Sequence, residues 1–511
     1  MRARLLFALP CLWASTALAQ TNAPDTAATA ARPVGTPDLE RQLQDYLGPL
    51  PFDSGFLTIR PEGQTYRLTF GGGGNFGSEV AEGVSVRASV SPYSLLVSER
   101  PDGDWDVSGD GSIAASYAVE AGPQSSRMTY AINGLNFSGV FSPAIRTFLT
   151  SSGSIAETQV VQTDANGAEA DVSLGMQSFS TTATPREGDT VDYAMTQTGR
   201  DFDETISVPM DPTQPGALTD ITIRAKALNA SMKAEAMQAV PITDLMAFLL
   251  RNASKEDITA RQDELKQRLE AALPLWAEID GDYALEDMSL LTPFGQATIG
   301  RTFLAFTGNG VETSGSYRYR VGFEDMILVF RAIPAWTAPL LPRDVAMDVV
   351  VRNVDLQTPT EILLANLDLA STPPLPEAAG EEIIATFHKQ RPEIAFENVR
   401  IVARDYEVTI DGSVRFEGEV PATRFDIVAT GLDTALKTLQ EAGPRHPEAM
   451  QAFGFASMAK GFGKPLGDGR TQWLIETAAD GSVKINGVQI KGPDAPQVPL
   501  PKVDPQTGMP L

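Results

Sequence analysis

A chain of 511 residues that is 42% apolar can bury a substantial core, and its length suggests about three domains. Its formal charge of −25 repels phosphate backbones and anionic headgroups, which argues against a nucleic-acid partner. The single cysteine, Cys11, sits near the start, so the rest of the chain can form no disulfide.

Arg2 and Arg4, an apolar run from Leu5 to Trp13, and Ala17-Leu18-Ala19 before Gln20 predict a cleavable secretory signal over residues 1–19. That run is too short to span a bilayer, and no later uncharged apolar stretch reaches about 18 residues, so the mature chain is expected to carry no transmembrane helix. An exported chain left without cysteine suits an oxidising compartment, and the expected location is the periplasm. Residues 20–37, rich in Ala, Thr and Pro, read as a flexible leader. A short amphipathic helix from Pro37 to Leu47 follows, with Leu39, Leu43 and Leu47 on one face.

Strands then dominate. Tyr66-Leu68-Phe70, Val84 to Val90, Val172-Leu174-Met176, Val191-Tyr193-Met195 and Ile221-Ile223-Ala225 alternate apolar with polar, as antiparallel sheets with one buried face do. Helical spacing appears from Pro241 to about Ile279, where Pro274 ends or kinks it. Strands resume at Asp282, with Tyr317, Tyr319, Val321 and Phe323 facing one way and Arg318 and Arg320 the other. Helices are predicted over 359–369, 376–390 and 432–460. Asp411-Gly412 between Val408-Ile410 and Val414-Phe416 predicts a hairpin turn, and Asp480-Gly481 a second. The proline-rich tail, 492–511, is expected to be disordered. The division is thus an N-terminal β-rich domain over 38–240 and a C-terminal α+β domain over 241–491. The fold class is α+β: β-rich, with curved, mostly antiparallel sheets built from bulged repeated strands and with helical insertions.

One phrase recurs six times: apolar, any residue, a turn-tolerant residue, apolar, any residue, apolar. The copies start at Ile132, Leu285, Phe323, Val351, Phe396 and Ile485, and place Gly134, Asp287, Asp325, Asn353, Asn398 and Gly487 third. A weaker seventh, Ala227 to Met232, has Asn229 there. In a plain strand, residues sharing a face are two apart; here the first two apolar positions are three apart. Gly, Asp and Asn best tolerate a left-handed backbone, so a bulge at the third place would return the strand to the same face.

The closing segment, Trp473 to Glu476 and Asp480 to Val488, resembles the C-terminal ending of alphaproteobacterial periplasmic proteins of unknown function. Phe294-Gly295 after a bulged strand, the signal and the missing cysteine are similar too. That family is distantly similar to AsmA-like and YdgA-like envelope proteins. The resemblance covers roughly 270–490 and implies an elongated curved sheet whose apolar inner surface suits lipid chains. It carries over no catalytic residue, and this chain lacks the retained N-terminal membrane helix of AsmA-like proteins.

Little points to catalysis. His388 and His446 are the only histidines, both read as surface residues, and no cysteine accompanies them, so no ordinary zinc site can be built. No Gly-x-Ser-x-Gly elbow exists, and Gly71 to Gly74 lacks the Lys-Ser or Lys-Thr of a phosphate loop. Asp102, Asp104, Asp106 and Asp110 alternate as calcium ligands can, but Val107 and Ile113 stand where a calcium loop needs Gly and Glu, so a solvated hairpin loop is the reading adopted. No cofactor or metal is expected. Phe303, Phe306, Phe323, Met326, Phe330 and Trp336 fall close together, as do Phe453, Phe455, Met458 and Phe462. Core packing accounts for such clusters; the functional alternative is the lining of an apolar groove. The expectation is a non-enzymatic periplasmic envelope protein that binds or shields an apolar, lipid-like ligand along a curved sheet. The alternative is a protein-interaction or envelope-assembly factor without a small-molecule ligand.

Overall fold

Alternating side chains and glycine-marked turns build a long antiparallel sheet in the computed structural model, which describes residues 36–494 apart from 73–75, 82–83, 122–123, 165–167, 210–217, 253 and 417–420. Residues 1–19, where a secretory signal is predicted, residues 20–35 of the predicted leader and residues 495–511 of the proline-rich tail lie outside the described residues. Helices α1 (Thr36–Leu47) and α2 (Leu50–Asp53) come first. Strands β1 (Leu57–Glu62), β2 (Thr65–Phe70), β3 (Phe76–Ala81), β4 (Val84–Val90), β5 (Tyr93–Glu99), β6 (Trp105–Ala121) and β7 (Gln124–Ser142) follow. Next are β8 (Thr147–Ile155), β9 (Glu157–Asp164), β10 (Glu169–Leu174), β11 (Gln177–Pro185), β12 (Val191–Pro209) and β13 (Leu218–Met237). Helices α3 (Ala239–Arg251), α4 (Lys255–Ala260) and α5 (Gln262–Ala272) interrupt, in the place where helical spacing predicts them. Strands return as β14 (Glu278–Thr292), β15 (Gly295–Asn309), β16 (Gly315–Glu324), β17 (Ile327–Phe330) and β18 (Pro342–Val354). Then come α6 (Gln357–Asn366), α7 (Glu377–Gln390), β19 (Glu393–Ala403), β20 (Glu407–Arg415), β21 (Ala422–Thr430), α8 (Leu432–Ala442) and α9 (Pro447–Gly461). The chain closes with β22 (Lys464–Gly467), β23 (Arg470–Thr477), β24 (Val483–Ile485) and β25 (Val488–Lys491).

All of these strands join one sheet. The pairing runs β1, β2, β5, β6, β7, then through β8–β11 in one half of the sheet and β9–β10 in the other to β12. From there it continues β13, β14, β15, β16, β18, β19, β20, β21, β23, β24 and β25. The boundary drawn at residue 240 falls at α3, and the sheet pairs across it through β13 and β14.

The repeated phrase marks a crease in this sheet. Gly134, Asp287, Asp325, Asn353, Asn398 and Gly487 all have positive φ, between 51° and 81°. Asn353 differs in place, ending β18 with its amide donating to the Gln390 carbonyl. Gly487 differs too: with Asn486, also at positive φ, it makes the two-residue turn of the β24–β25 hairpin, Ile485 pairing with Val488. The other four mark where a strand turns over, so residues 285 and 288, or 396 and 399, share one face. The ladder slips by one residue at Gly134 against β6 and at Asn398 against both β18 and β20. At Asp287 and Asp325 the register resumes unshifted, because the adjoining strands turn over in step. Asp201, at φ 56°, makes the same turn in β12. Asn229 of the weaker seventh copy lies mid-strand between Thr198 and Ala284 and is not left-handed.

A turned residue loses its ladder partner, and a neighbouring side chain replaces it. The Asp325 N–H donates to Asp344 Oδ1 at 2.8 Å, Asn398 N–H to Asp411 Oδ1 at 2.8 Å, and Gly134 N–H to Ser112 Oγ at 3.2 Å. Asn486 Oδ1 accepts from Leu474 N–H at 2.9 Å. Asp411-Gly412 is therefore not a hairpin turn, correcting that expectation: β20 runs straight through it. Asp411 serves the Asn398 bulge, and Gly412 leaves room for the Phe425 ring, 2.2 Å from where a Cβ would lie. Asp480-Gly481 does turn, with Gly481 at φ 77° between β23 and β24.

The crease folds the sheet toward its apolar side. Leu174, Ala225 and Met288 beyond the crease pack with Leu228 and Leu285 before it, and Ile113 and Ile132 pack likewise with Leu135 and Tyr93. The inner face is thus concave and apolar, and the outer face carries Ser, Thr and charge pairs such as Arg318–Asp348 and Arg224–Asp203. α1 covers the first inner strands, Leu39 packing with Leu57, Tyr66, Leu68 and Val97. At the other end α9 lies against Trp473, whose indole N–H donates to the Ala459 carbonyl at 2.7 Å.

Candidate functional site

Over the middle of β15, β16 and β18 the inner face is bare. Register places Tyr283, Leu304, Val321 and Met347 in one row straight across β14, β15, β16 and β18. Phe306, Tyr319, Val349 and Phe396 form the next row, and Leu285, Thr302, Phe323, Val345 and Ile401 another. Cross-strand neighbours about 5 Å apart make these rows a continuous floor. Leu304, Tyr319, Val321 and Met347 remain 43%, 53%, 40% and 40% exposed. Large apolar side chains in the middle of a sheet face, flanked by covered ends, form an open apolar trough rather than a closed core.

Of the six aromatic and methionine candidates, Phe306 and Phe323 stand in this floor. Met326 and Phe330 lie past the crease, in step with Leu328, and continue the inner face toward the β15–β17 end. Phe303 points to the outer face, its ring over Gly322 and the Arg301 guanidinium 5.3 Å from its centroid. Trp336 packs with Leu340, Leu439 and Ala449 beneath α8 and α9, 5.8 Å from the His446 ring, and its indole nitrogen has no hydrogen-bond partner. The stretch from Phe330 to Pro342 is thus a packed crossover. Phe453 joins the same cluster, whereas Phe455, Met458 and Phe462 are 60%, 58% and 51% exposed. Val321 was legible only as one member of an alternating strand, and Leu304 and Met347 carried no signal, because only the register shows that the three share a row.

The inner face carries hardly any charge. Among the described residues Glu204 of β12 is the one charged side chain facing inward from a strand interior; Glu99, Asp164 and Lys491 share that parity only at strand ends. Its cross-strand neighbours are Val172 and Ile223, its in-strand neighbours on this face Phe202 and Ile206, and no hydrogen bond or ion pair satisfies it. Desolvation by burial raises its pKa above the ordinary carboxylate range. Asp171, Asp203 and Arg224, the nearest charged groups on the flanking strands, face outward. A carboxyl with a raised folded-state pKa contributes stability that is complete below the unfolded value and lost as pH rises through the folded one. Glu204→Gln should therefore raise the thermal midpoint at pH 7 and leave it unchanged near pH 4, a difference that paired melting curves will read. Burial likewise pushes the Tyr283 hydroxyl up to about 12.

The remaining candidates hold no assembled chemistry. The Asp102 loop is a turn with Gly103 at φ 88°, and Arg100 bridges Asp102 and Asp106 at 3.5 and 3.1 Å. No group of three or more metal-ligating side chains gathers among the described residues. An outer-face hollow of about 280 Å³ at the crease is lined by Phe303, Asp325, Arg343, Asp344 and Arg400, whose arginines are already paired with carboxylates. No described helix is long and apolar enough to cross a membrane. Comparison with protein-family models, curated proteins and solved structures finds no match to this chain.

Proposed function

We propose that the protein is a non-enzymatic component of the bacterial envelope, exported to the periplasm, that holds or shields the acyl chains of a lipid in its trough. The observation that supports this reading is the bare row of Leu304, Val321 and Met347 on a concave face lined mainly by apolar side chains. Removing acyl chains from water onto such a floor contributes about 25 cal/mol for each Å² of apolar surface covered. The likeness of the closing segment to that of periplasmic proteins related to AsmA-like ones points the same way. Native mass spectrometry of the mature chain, purified without detergent and then offered phosphatidylethanolamine, should show one or more bound lipids. A chain that emerges bare and takes up none of the added lipid defeats the reading.

One corner favours the assembly-factor alternative. Phe455 and Met458 of α9 and Phe462 just past its end are exposed, Asn486 in the β24–β25 turn donates to the Phe462 carbonyl, and Val488 and Ile490 of the edge strand β25 are 67% and 51% exposed. Among the described residues β25 pairs only with β24, and a strand edge left open beside exposed apolar side chains is a surface on which a partner strand could dock.

A further inference from the structure

The trough has one feature that an apolar chain alone does not need. Glu204 stands alone on the inner face, with Val172 and Ile223 opposite it and Phe202 and Ile206 on either side. A carboxylate in such a lining costs free energy unless something pairs with it, and Gln or Val would fit the strand without that cost. The described residues supply no pairing group. Glu204 stands in one row with Ile223, Leu290 and Ala297, so Leu304 lies three strands across, about 14 Å, and seven residues along, about 24 Å, on the other side of the crease that folds the inner face.

We propose that Glu204 is the headgroup anchor of the trough: the ligand sets an ammonium group against this carboxylate and lays its alkyl chain along the floor toward Leu304 and Val321. This rests on the trough being a lipid site and names the ligand class as an amine-bearing amphiphile. A cation beside an otherwise unpaired, half-desolvated carboxylate is attracted far more strongly than in water, and the carboxylate gains the hydrogen bonds it lacks. An anionic amphiphile meets repulsion at the same point.

Calorimetric titration with dodecylammonium and with dodecyl maltoside, both below their micellar concentrations, separates the headgroup from the chain. The unaltered protein should bind dodecylammonium about tenfold more tightly than the maltoside. Glu204→Gln, which keeps the shape and removes only the charge, should bring the two to within about twofold. Asp171→Asn removes an equal charge from the outer face of the adjoining strand β10 and should leave the preference intact. If Glu204→Gln keeps the full preference while both probes bind, the anchor is wrong and the trough survives. If Asp171→Asn erases the preference equally, the attraction is the general pull of an acidic protein and the anchor is again wrong. If the unaltered protein binds neither probe, the trough reading and the anchor fall together.

Discussion

Gly412→Val will destabilise the sheet by about 1–3 kcal/mol, the usual cost of forcing volume into a packed site. Gly412 pairs with Phe396 on one side and Phe425 on the other, and those rings meet above it at 5.7 Å between centroids and 50° between planes. A Cβ at residue 412 would lie 2.2 Å from Phe425 Cδ1 and 2.7 Å from the Arg424 carbonyl oxygen, so the ring must leave its place. Hydrogen exchange along β20 and β21 should speed up first, because in an elongated sheet each strand depends mainly on its neighbours. Phe425→Ala costs stability by itself, but combined with Gly412→Val it should recover part of the glycine loss, since the two side chains would compete for one space. Strict additivity of the two changes would mean that the ring does not sit over residue 412. Were Asp411-Gly412 a hairpin turn instead, Phe425→Ala could not rescue the glycine substitution at all.

That dipeptide shows where reading a sequence stops. Asp-Gly between alternating strands is a strong local hairpin signal, and it fails at Asp411-Gly412 because both residues answer to neighbouring strands. Asp411 receives the N–H that the Asn398 bulge sets free, and Gly412 yields its side-chain space to Phe425. Neither demand is local. The repeated phrase, by contrast, is local: a left-handed residue is needed wherever a strand turns over and keeps its apolar side inward. All six third positions have positive φ: four where a strand turns over, Asn353 at the end of β18 and Gly487 in the β24–β25 turn. Asp201 makes the same turn without the full phrase, since Gly199 and Glu204 stand in the first and last places, where the phrase has apolar residues. The trough was legible only in part. The alternation of Tyr317, Tyr319, Val321 and Phe323 is plain in the sequence, but nothing in it says that this face stays uncovered. Phe303 and Phe306, three apart with no left-handed residue between them, necessarily point to opposite faces, and only Phe306 reaches the floor. Glu204 was hidden for the opposite reason: one acid among 65 Asp and Glu residues carries no signal until the register shows that its neighbours are all apolar.

Leu304→Glu and Val321→Glu, made singly, should each weaken phospholipid or alkyl-maltoside binding by tenfold or more, roughly 1.4 kcal/mol and upward. Leu304 and Val321 are direct cross-strand partners at the centre of the bare row. A carboxylate there is hydrated in the empty trough, so the fold loses little, but it must shed that water or displace the chain when a ligand lies over it. The cost of burying an unpaired charge is several kcal/mol, larger than the apolar contact that one side chain makes. Thermal midpoints within a degree or two of the unaltered protein would show that the loss is one of binding. Val329→Glu supplies the control: Val329 is 57% exposed on the outer face, and the same added charge there should leave affinity unchanged. Undiminished binding by both inner-face variants would place the ligand elsewhere, and the α9–β25 corner with Phe455, Met458 and Val488 would become the surface to test next. An equal loss in Val329→Glu would instead trace the effect to overall charge, which in a chain already at −25 is the competing physical cause.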